Sequence, residues 1–259
     1  MDLGIKGRRA VICASSRGLG LACAEALAAE GVAVVINGRD PDRLAATAEE
    51  IRARHGASVT AVPGDVTTEE GRAALLAACP DPDILVNNNA GPTPRSFLDV
   101  DRDRWLEALD ANMVAPLLLT AAVLPAMKER RFGRIINITS AMVTTPRPHM
   151  VMSSGARAGL TAAMKGLSLE VAAFNVTINN LLPERIDTDR QHFMAQQASR
   201  RLGITYEEAR AEQVKSIAAR RLGDPREFGA TCAFLCGSLA GFISGMNVHL
   251  DGGSYPALV

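Results

Sequence analysis

Aromatic residues are scarce in this chain of 259 residues: they make up 4% of the composition, with one tryptophan and two tyrosines. Hydrophobic residues nevertheless account for 47% of the sequence. The core must therefore consist mainly of alanine, valine, leucine and isoleucine, which suits close packing of helices on a sheet. A chain of this length is of ordinary size for a single α/β domain.

Net charge is also lacking, because 28 lysines and arginines balance 28 aspartates and glutamates. No long run of lysine or arginine interrupts this mixture. Proteins that bind nucleic acids need clustered positive charge to neutralise the phosphates. We therefore expect no nucleic-acid partner.

Signals for export or membrane insertion are not evident in the sequence. The first residues, Met1 to Lys6, do not form a charged and then apolar leader. The most apolar run, 114–127, contains Pro116 and Pro125 and falls short of the length of a bilayer span. We therefore expect a cytoplasmic protein without a membrane partner.

Cysteines are few, scattered and odd in number, which argues against a disulfide framework. Cys232 and Cys236 would share one face of a helix, but nothing nearby supplies further ligands at the spacing of a metal site. We expect buried thiols, no disulfide and no metal.

Short β-branched runs alternate with longer helical patterns along the chain. The continuous apolar character of these runs predicts strands that are covered on both faces. Repeated strand–helix–strand units require right-handed crossovers between parallel strands. The sequence thus predicts one doubly wound, Rossmann-type α/β domain over 1–259, with a seven-stranded parallel sheet and helices on both faces. The expected strands are 10–12, 32–36, 58–62, 84–87, 134–139, 176–181 and 247–250, and the first two helices are expected at 18–30 and 42–55.

Two helical segments depart from the regular alternation. Residues 102–129 contain Pro116 and Pro125, so this helix should bend or restart near the prolines. Residues 187–219 are polar, charged and amphipathic, and they follow the sixth strand. Because ligands of doubly wound sheets bind beyond the carboxyl ends of the strands, we expect this insert to form a helical lid over a substrate pocket. A pair of surface or oligomer-contact helices is the alternative.

A loop rich in small residues joins the first strand to the first helix. It reads Cys13-Ala14-Ser15-Ser16-Arg17-Gly18-Leu19-Gly20. Glycines let the backbone approach a pyrophosphate, and the N-terminus of the helix supplies free N–H groups and partial positive charge. The loop therefore predicts a dinucleotide site, with contacts at Ser15, Ser16, Arg17, Gly18, Leu19 and Gly20.

The second strand ends without the carboxylate that NAD-selective sites place against the ribose 2′-hydroxyl. Gly38 occupies that place, Arg39 follows it, and Arg17 is expected within reach of the same phosphate. Guanidinium groups bind phosphate through bidentate, charge-assisted hydrogen bonds. We therefore expect NADP(H) rather than NAD(H), with a solvated surface position for Arg39 as the alternative.

Further landmarks follow the later strands in order. Asp65-Val66 comes after the third strand, Asn87-Asn88-Asn89-Ala90-Gly91 after the fourth, and Pro183-Glu184-Arg185-Ile186-Asp187-Thr188 after the sixth. Together with the glycine loop, these segments resemble the short-chain dehydrogenase/reductase family. The resemblance implies the family's Rossmann-type fold and cofactor contacts at Asp65, Val66, Asn88, Asn89, Pro183, Ile186 and Thr188.

The glycine loop departs from the family pattern at its start. The pattern Thr-Gly-x-x-x-Gly-x-Gly places a glycine where this chain has Ala14. A methyl group at this position is a small intrusion that is tolerable if the backbone φ angle there is negative. We therefore expect a cofactor site that is altered at Ala14 but still able to bind.

The same resemblance assigns the catalytic positions. Asn112 matches the asparagine that anchors a water in the family's proton relay, and Ser140 matches the serine that hydrogen-bonds the substrate oxygen. The family's Tyr-x-x-x-Lys pair begins thirteen residues after that serine, where this chain has Ser153 and Arg157. A serine hydroxyl is too weak an acid and too short to replace the tyrosine. Arg157 keeps a positive charge that could bind the nicotinamide ribose, but a guanidinium cannot relay a proton.

A histidine offers a substitute acid. His149 lies in the loop that borders the substrate pocket in this family, and histidine exchanges protons near neutral pH. A loop histidine without a role is the alternative. His55, His192 and His249 have no constellation around them in the sequence, and no role is assigned to them.

The function expected from these features is an NADP(H)-dependent oxidoreductase acting on a small carbonyl or alcohol substrate, similar to 3-oxoacyl-carrier-protein reductases. Two other functions remain open: non-redox chemistry such as elimination or isomerisation, and a catalytically silent NADP-binding role. Fold alone does not decide among them. The resemblance and the apolar surfaces at 117–123, at 160–171 and near Val248 predict a homo-oligomer, specifically a tetramer.

Overall fold

A single parallel sheet of seven strands organises the chain, as a computed structural model describes it for residues 1–258. The strand order is β3-β2-β1-β4-β5-β6-β7, with all neighbours parallel. This arrangement is the doubly wound, Rossmann-type fold that the sequence predicts. The strands are β1 Arg9–Ile12, β2 Ala33–Gly38, β3 Val59–Pro63, β4 Ile84–Asn87, β5 Gly133–Ile138, β6 Val176–Pro183 and β7 Asn247–Leu250.

Helices cover both faces of the sheet because successive residues of each strand point to opposite sides. In β1, Ala10 and Ile12 pack in one apolar cluster, whereas Val11 packs in the other. The helices of the described residues are α1 Gly18–Ala29, α2 Pro41–His55, α3 Glu69–Ala78, α4 Arg102–Leu109, α5 Ala115–Glu129, α6 Val151–Val171, α7 Asp189–Leu202, α8 Tyr206–Lys215 and α9 Pro225–Cys236.

The long helical segment is interrupted, as expected, although the interruption precedes the prolines. A π-helical turn at Asp110–Val114 separates α4 from α5, and Pro116 lies in the first turn of α5. Pro125 lies inside α5 without ending it. Turns of this kind recur at functional sites, and this one contains Asn112.

The apolar run 114–127, which by itself falls short of a membrane span, lies within this longer helical segment. Residues Arg102–Glu129 form 28 helical residues that are apolar enough for a span by composition. In the fold, however, Leu119, Val123 and Met127 are buried in the core cluster on one face of the sheet. The core helix of a compact protein passes the same compositional test.

The strand order reverses direction between β1 and β4, and ligands of such sheets bind in the crevice at that point. The loop after β1 and the residues after β4 therefore meet at one edge of the sheet. The segment after β6 forms two helices, α7 and α8, that pack against each other. All five cysteines are buried and form no disulfide. Cys13 begins the loop after β1 at this edge, whereas the other four lie in the apolar core.

Candidate cofactor and substrate site

The N-terminus of α1 is open to an anion. Arg17 is its N-cap residue, but no side chain caps the helix and no acidic residue lies in its first turn. The first N–H groups of the helix therefore need an external partner. Gly20 allows the close packing of this turn, since a Cβ there would lie 2.4 Å from the carbonyl oxygen of Ala14. Leu19 lies beside Gly20 and packs against the core cluster on one face of the sheet.

Ala14 adopts a left-handed backbone conformation, with a φ angle of +44°. The methyl group of Ala14 was expected to be tolerable if φ is negative, and the positive φ angle does not meet that condition. A residue with a Cβ pays a conformational cost in this region that glycine does not. The methyl group at Ala14 thus adds strain at the first turn of the cofactor loop.

The hydroxyl of Ser15 is used inside the protein. It donates to the carbonyl oxygen of Ile12 at 2.8 Å and accepts from the backbone N–H of Asn37 at 3.0 Å. Ser15 is fully buried and joins the end of β1 to β2. The neighbouring Ser16 lies beside Gly38, whose Cβ, if present, would be 3.1 Å from the Ser16 hydroxyl oxygen. Ser15 therefore shapes the loop, while Ser16 faces the end of β2.

Three arginines gather around the end of β2. Arg39 lies 3.9 Å from the Asp65 carboxylate, and its side chain is largely exposed. Arg17 and Arg43 each lie 3.6 Å from one carboxylate oxygen of Asp189, the first residue of α7. The sequence reading identified Arg17 and Arg39. Arg43 was missed because it comes near Arg17 only through the packing of α2 and α7 around the loop.

Asp65 and Val66 lie at the end of β3, as predicted. Asp65 accepts hydrogen bonds from the backbone and the hydroxyl of Thr67 at 2.9 and 2.8 Å. Burial raises the pKa of the Asp65 carboxyl, but the hydrogen bonds from Thr67 and the charge of Arg39 together lower it by more. The pKa is therefore below its usual value, and the carboxyl is ionised more readily than usual. Val66 is buried. The loop therefore presents a fixed carboxylate beside Arg39.

The loop after β4 is joined to the glycine loop and to the π-helical turn. Asn88 donates from its side-chain amide to the carbonyl oxygen of Ala14 at 3.0 Å. Asn89 donates to the carbonyl oxygen of Ala111 at 3.3 Å. These two amides therefore connect the loop after β4 to the loop after β1 and to the π-helical turn. The geometry places both residues at the predicted site, with their side chains committed to the protein framework.

The loop after β6 carries a buried carboxylate. Glu184, at the place of a family glycine, is buried and lies 3.0 Å from Arg147 and 3.1 Å from Arg185. Arg185 also donates to the carbonyl oxygen of Gln213 in α8. Glu184 therefore ties the loop before α6 to the base of the α7–α8 pair.

Thr188 places this loop beside the glycine loop. A Cβ at Gly18 would lie 3.9 Å from the Thr188 methyl group. Pro183 ends β6, and Ile186 is buried and bridges to Gly223. The predicted cofactor residues of the glycine loop and of this loop thus converge on the crevice.

Arg157 lies buried in α6 and reaches across the ends of two strands. Its guanidinium donates to the carbonyl oxygen of Ile138 at 2.7 Å and to that of Asn89 at 3.3 Å. Burial, and secondarily the charge of Arg190, lowers the pKa of Arg157 to about 10. The group is therefore still a cation at neutral pH, and it is held by carbonyl oxygens at the carboxyl ends of β4 and β5.

Ser140 follows β5 at the same edge. It is half-buried, and its oxygen accepts from the backbone N–H of Met142 at 3.2 Å, which leaves its hydroxyl proton available. Asn112 is buried and donates to the carbonyl oxygen of Ala108, but its own side-chain oxygen has no partner among the described residues. Ser153 is buried in the first turns of α6. Ser140, Asn112 and Ser153 therefore supply neutral hydrogen-bonding groups. Arg157 supplies the positive charge beside them.

Known proteins with similar sequences include several reductases. A family model described as Enoyl-(Acyl carrier protein) reductase matches residues 13–255. The NADPH-dependent reductase BacG of Bacillus subtilis is 31% identical over 256 residues, which cover 97% of this chain and 99% of that protein. The 3-oxoacyl-[acyl-carrier-protein] reductase FabG of Aquifex aeolicus is 32% identical over 259 residues, which cover 98% and 100%. The chain belongs to the short-chain dehydrogenase/reductase family.

A solved structure supports the same assignment at the level of the fold. The structure of L-sorbose reductase from Gluconobacter frateurii complexed with NADPH and L-sorbose has a TM-score of 0.95 and 29% sequence identity, and the match covers 100% of both chains. The predictions of the short-chain dehydrogenase/reductase family and of its seven-stranded parallel fold are confirmed.

Two histidines have surroundings that the sequence did not predict. His149 lies in the expected loop before α6, but its side chain is exposed and its φ angle is +64°. His192, to which no role was given, accepts or donates a 2.6 Å hydrogen bond with the Tyr206 hydroxyl and lies 3.5 Å from Asp187. Arg210 lies 2.7 Å from the same aspartate. This network joins α7 and α8 to the loop after β6, and sequence spacing alone gave no sign of it.

Proposed function

We propose that this member of the family is an NADP(H)-dependent oxidoreductase acting on a carbonyl or alcohol substrate. The uncapped N-terminus of α1, with Arg17, Arg39 and Arg43 beside it, carries the proposal. Orphan N–H groups suit a pyrophosphate, and exposed guanidinium groups at the end of β2 suit a 2′-phosphate. BacG is NADPH-dependent and the structure of L-sorbose reductase contains NADPH, which supports the same cofactor.

The residues of the chain have distinct roles in this function. NADP(H), when bound, supplies or accepts the hydride. Ser140 donates a hydrogen bond from its hydroxyl to the substrate oxygen. Arg157 holds the ends of β4 and β5 together, and its remaining N–H groups would bind the cofactor's ribose. Asn112 offers an unpartnered oxygen in the π-helical turn, where a water can bind.

The proton step is where this chain differs from the family pattern. Ser153 and Arg157 stand where the pattern has its tyrosine and lysine, so neither a phenol nor an ammonium serves the substrate oxygen. A positioned acid contributes roughly 10² to 10⁴-fold to a rate. Hydride-donor alignment survives the replacement and is itself a large contribution. We therefore propose slow reduction in which water or the substrate supplies the proton, with His149 in the loop before α6 as the alternative donor.

The proposal also covers the lid, the domain, the cellular location and the assembly of the chain. Residues 187–219, which form α7 and α8, act as a lid over the substrate pocket at the carboxyl edge of the sheet. The chain works as one domain over 1–259, in the cytoplasm and as a homotetramer.

A catalytically silent NADP-binding protein is the second candidate. The observation that favours it is the structural use of Arg157, whose guanidinium is held by two backbone carbonyls in a site without a tyrosine. Non-redox chemistry, such as elimination or isomerisation, remains a third candidate that no single contact favours.

Two measurements separate these candidates. NADPH oxidation should be followed with a panel of ketones, β-ketoacyl thioesters and quinones, and NADPH binding should be measured by calorimetry. Binding together with turnover of any carbonyl supports the oxidoreductase. Binding without turnover supports the silent or non-redox protein, and absence of binding contradicts the proposal.

A further inference from the structure

Asp189 forms ion pairs with two of the three arginines at the end of β2. Its Oδ2 atom lies 3.6 Å from Arg17 and 3.6 Å from Arg43. As the first residue of α7, Asp189 lies directly after Thr188, which faces the glycine loop. The lid therefore begins with a carboxylate that contacts two guanidinium groups of the cofactor site.

Other charged pairs nearby do not depend on this contact. The three groups line a cavity of about 600 Å³ between α1, α2, α7 and α9. Of the other arginines that line this cavity, Arg54 of α2 pairs with Glu25 of α1, and Arg226 of α9 pairs with Asp224. Among the described residues, Asp189 is the carboxylate that forms ion pairs with Arg17 and Arg43.

The two contacts of Asp189 are weak and exchangeable. Distances of 3.6 Å exceed the range of direct N–H···O hydrogen bonds. All three side chains are about half exposed or more, so water screens their attraction. A phosphate monoester carries more charge and three acceptor oxygens that match guanidinium geometry. It is therefore the stronger partner for the same two arginines.

We propose that Asp189 competes with the 2′-phosphate of NADP(H) for Arg17 and Arg43, and so sets how strongly the site prefers NADP(H) over NAD(H). The inference rests on the proposed cofactor. It makes a residue of the lid a determinant of cofactor specificity, because NAD(H) lacks the phosphate for which Asp189 competes.

The test is calorimetric titration of wild type and Asp189→Asn with NADPH and with NADH at low ionic strength. Asparagine has nearly the same shape and no charge. We expect the Kd for NADPH to fall by about 3- to 10-fold, as for the loss of one or two exposed ion pairs, with the Kd for NADH unchanged. Screening by about 0.5 M salt should remove most of the difference.

Asp187→Asn provides the matched control. It removes the same charge two residues away, from a carboxylate that contacts Arg210 and His192 rather than the cofactor arginines. It should leave the ratio of the two affinities near that of wild type. Asp189→Glu, which keeps the charge, should also resemble wild type. In an Arg43→Ala background, Asp189→Asn should give a smaller gain, because one partner is already absent.

The possible failures are distinguishable. If wild type binds neither NADPH nor NADH, the proposed function fails. If wild type binds NADPH but Asp189→Asn leaves its Kd unchanged, or tightens NADH equally, competition by Asp189 is wrong while the proposed function stands. An equal gain in Asp187→Asn would likewise overturn the competition, since it would reflect net charge alone. Circular dichroism of each variant verifies that α7 and the fold are intact.

Discussion

Arg157 donates a 2.7 Å hydrogen bond to the carbonyl oxygen of Ile138 and so ties α6 to the carboxyl end of β5. Its second bond, to the carbonyl oxygen of Asn89, ties the loop after β4 to the same guanidinium. One side chain therefore joins the elements that carry Ser140, Asn89 and Ser153. Because a guanidinium remains protonated at neutral pH, this residue builds the site and contributes charge without exchanging protons.

Replacing Arg157 by methionine should destabilise the fold. Two carbonyl oxygens would lose their donor, and a buried polar group without a partner costs about 1–3 kcal/mol. We expect the free energy of unfolding, measured by urea denaturation, to fall by about 1–3 kcal/mol. Arg190→Met, which removes a nearby exposed cation, should not lower it. Equal stability of the two variants would mean that water replaces both bonds of Arg157.

Arg39 should determine much of the preference for NADPH. Its exposed side chain lies at the end of β2, where Gly38 leaves no carboxylate against the 2′-phosphate. Arg39→Ala should raise the Kd for NADPH about tenfold, as expected for the loss of a charged hydrogen bond, and leave the Kd for NADH unchanged. Calorimetric titration measures both values. Arg102→Ala, at an exposed site in α4, is the control, and equal wild-type affinities for the two cofactors would disprove the claim.

Ala14→Gly should stabilise the chain, against the usual effect of glycine. The φ angle of +44° costs alanine about 1–2 kcal/mol, and the greater flexibility of unfolded glycine offsets part of the gain. We expect a net increase of about 0.5–1 kcal/mol in the free energy of unfolding. Ala45→Gly, at an exposed position inside α2, should lose about 1 kcal/mol. Losses of the same size in both variants would contradict strain at Ala14.

The assembly should be a homotetramer in solution. Leu118 on α5 and Leu169 on α6 are exposed, with 46% and 73% of their surface accessible, and Met246 before β7 is 50% exposed. Apolar surfaces of this kind are covered in most soluble proteins. Light scattering should give four times the chain mass at micromolar concentration. Leu169→Glu should lower that mass, whereas Ala45→Glu should not, and a monomeric wild type would refute the prediction.

The strands were predicted well because short apolar runs, most clearly those of β1, β2 and β4, alternate with longer helical patterns. Residues 84–87 and 247–250 were placed at the bounds of β4 and β7, and the other strands within two residues. The carboxyl edge of the sheet then followed from topology and one rule for parallel sheets. The assignment of Ser140, Asn88, Arg157 and Thr188 to one site came from the resemblance to the short-chain dehydrogenase/reductase family.

The contacts between distant side chains were not predictable in the same way. Asp189 meets Arg43, and Glu184 meets Arg147, because helices and loops far apart in the chain pack together. The sign of the φ angle at Ala14 depends on the turn that the loop adopts. The internal use of the Ser15 hydroxyl likewise depends on the pairing of β1 with β2. Each of these requires the tertiary fold rather than the local sequence.

The proposed function makes this chain a reductase in which Ser153 and Arg157 replace the phenol and the ammonium of the proton relay. If so, Ser153→Tyr combined with Arg157→Lys should restore proton donation, since the tyrosine depends on the neighbouring ammonium to lower its pKa. Each change alone should help little. An alternative account places His149 as the acid, and then the tyrosine ring would obstruct the site and His149→Ala would abolish wild-type activity.

The most direct measurement is the rate of NADPH oxidation by the double variant Ser153→Tyr plus Arg157→Lys with a carbonyl substrate that wild type reduces slowly. The account predicts an increase that approaches about 10²-fold over wild type, with both single variants and His149→Ala near the wild-type rate. A rate below wild type in the double variant, together with loss of activity in His149→Ala, would contradict it. Unchanged rates in all of these variants would contradict it as well.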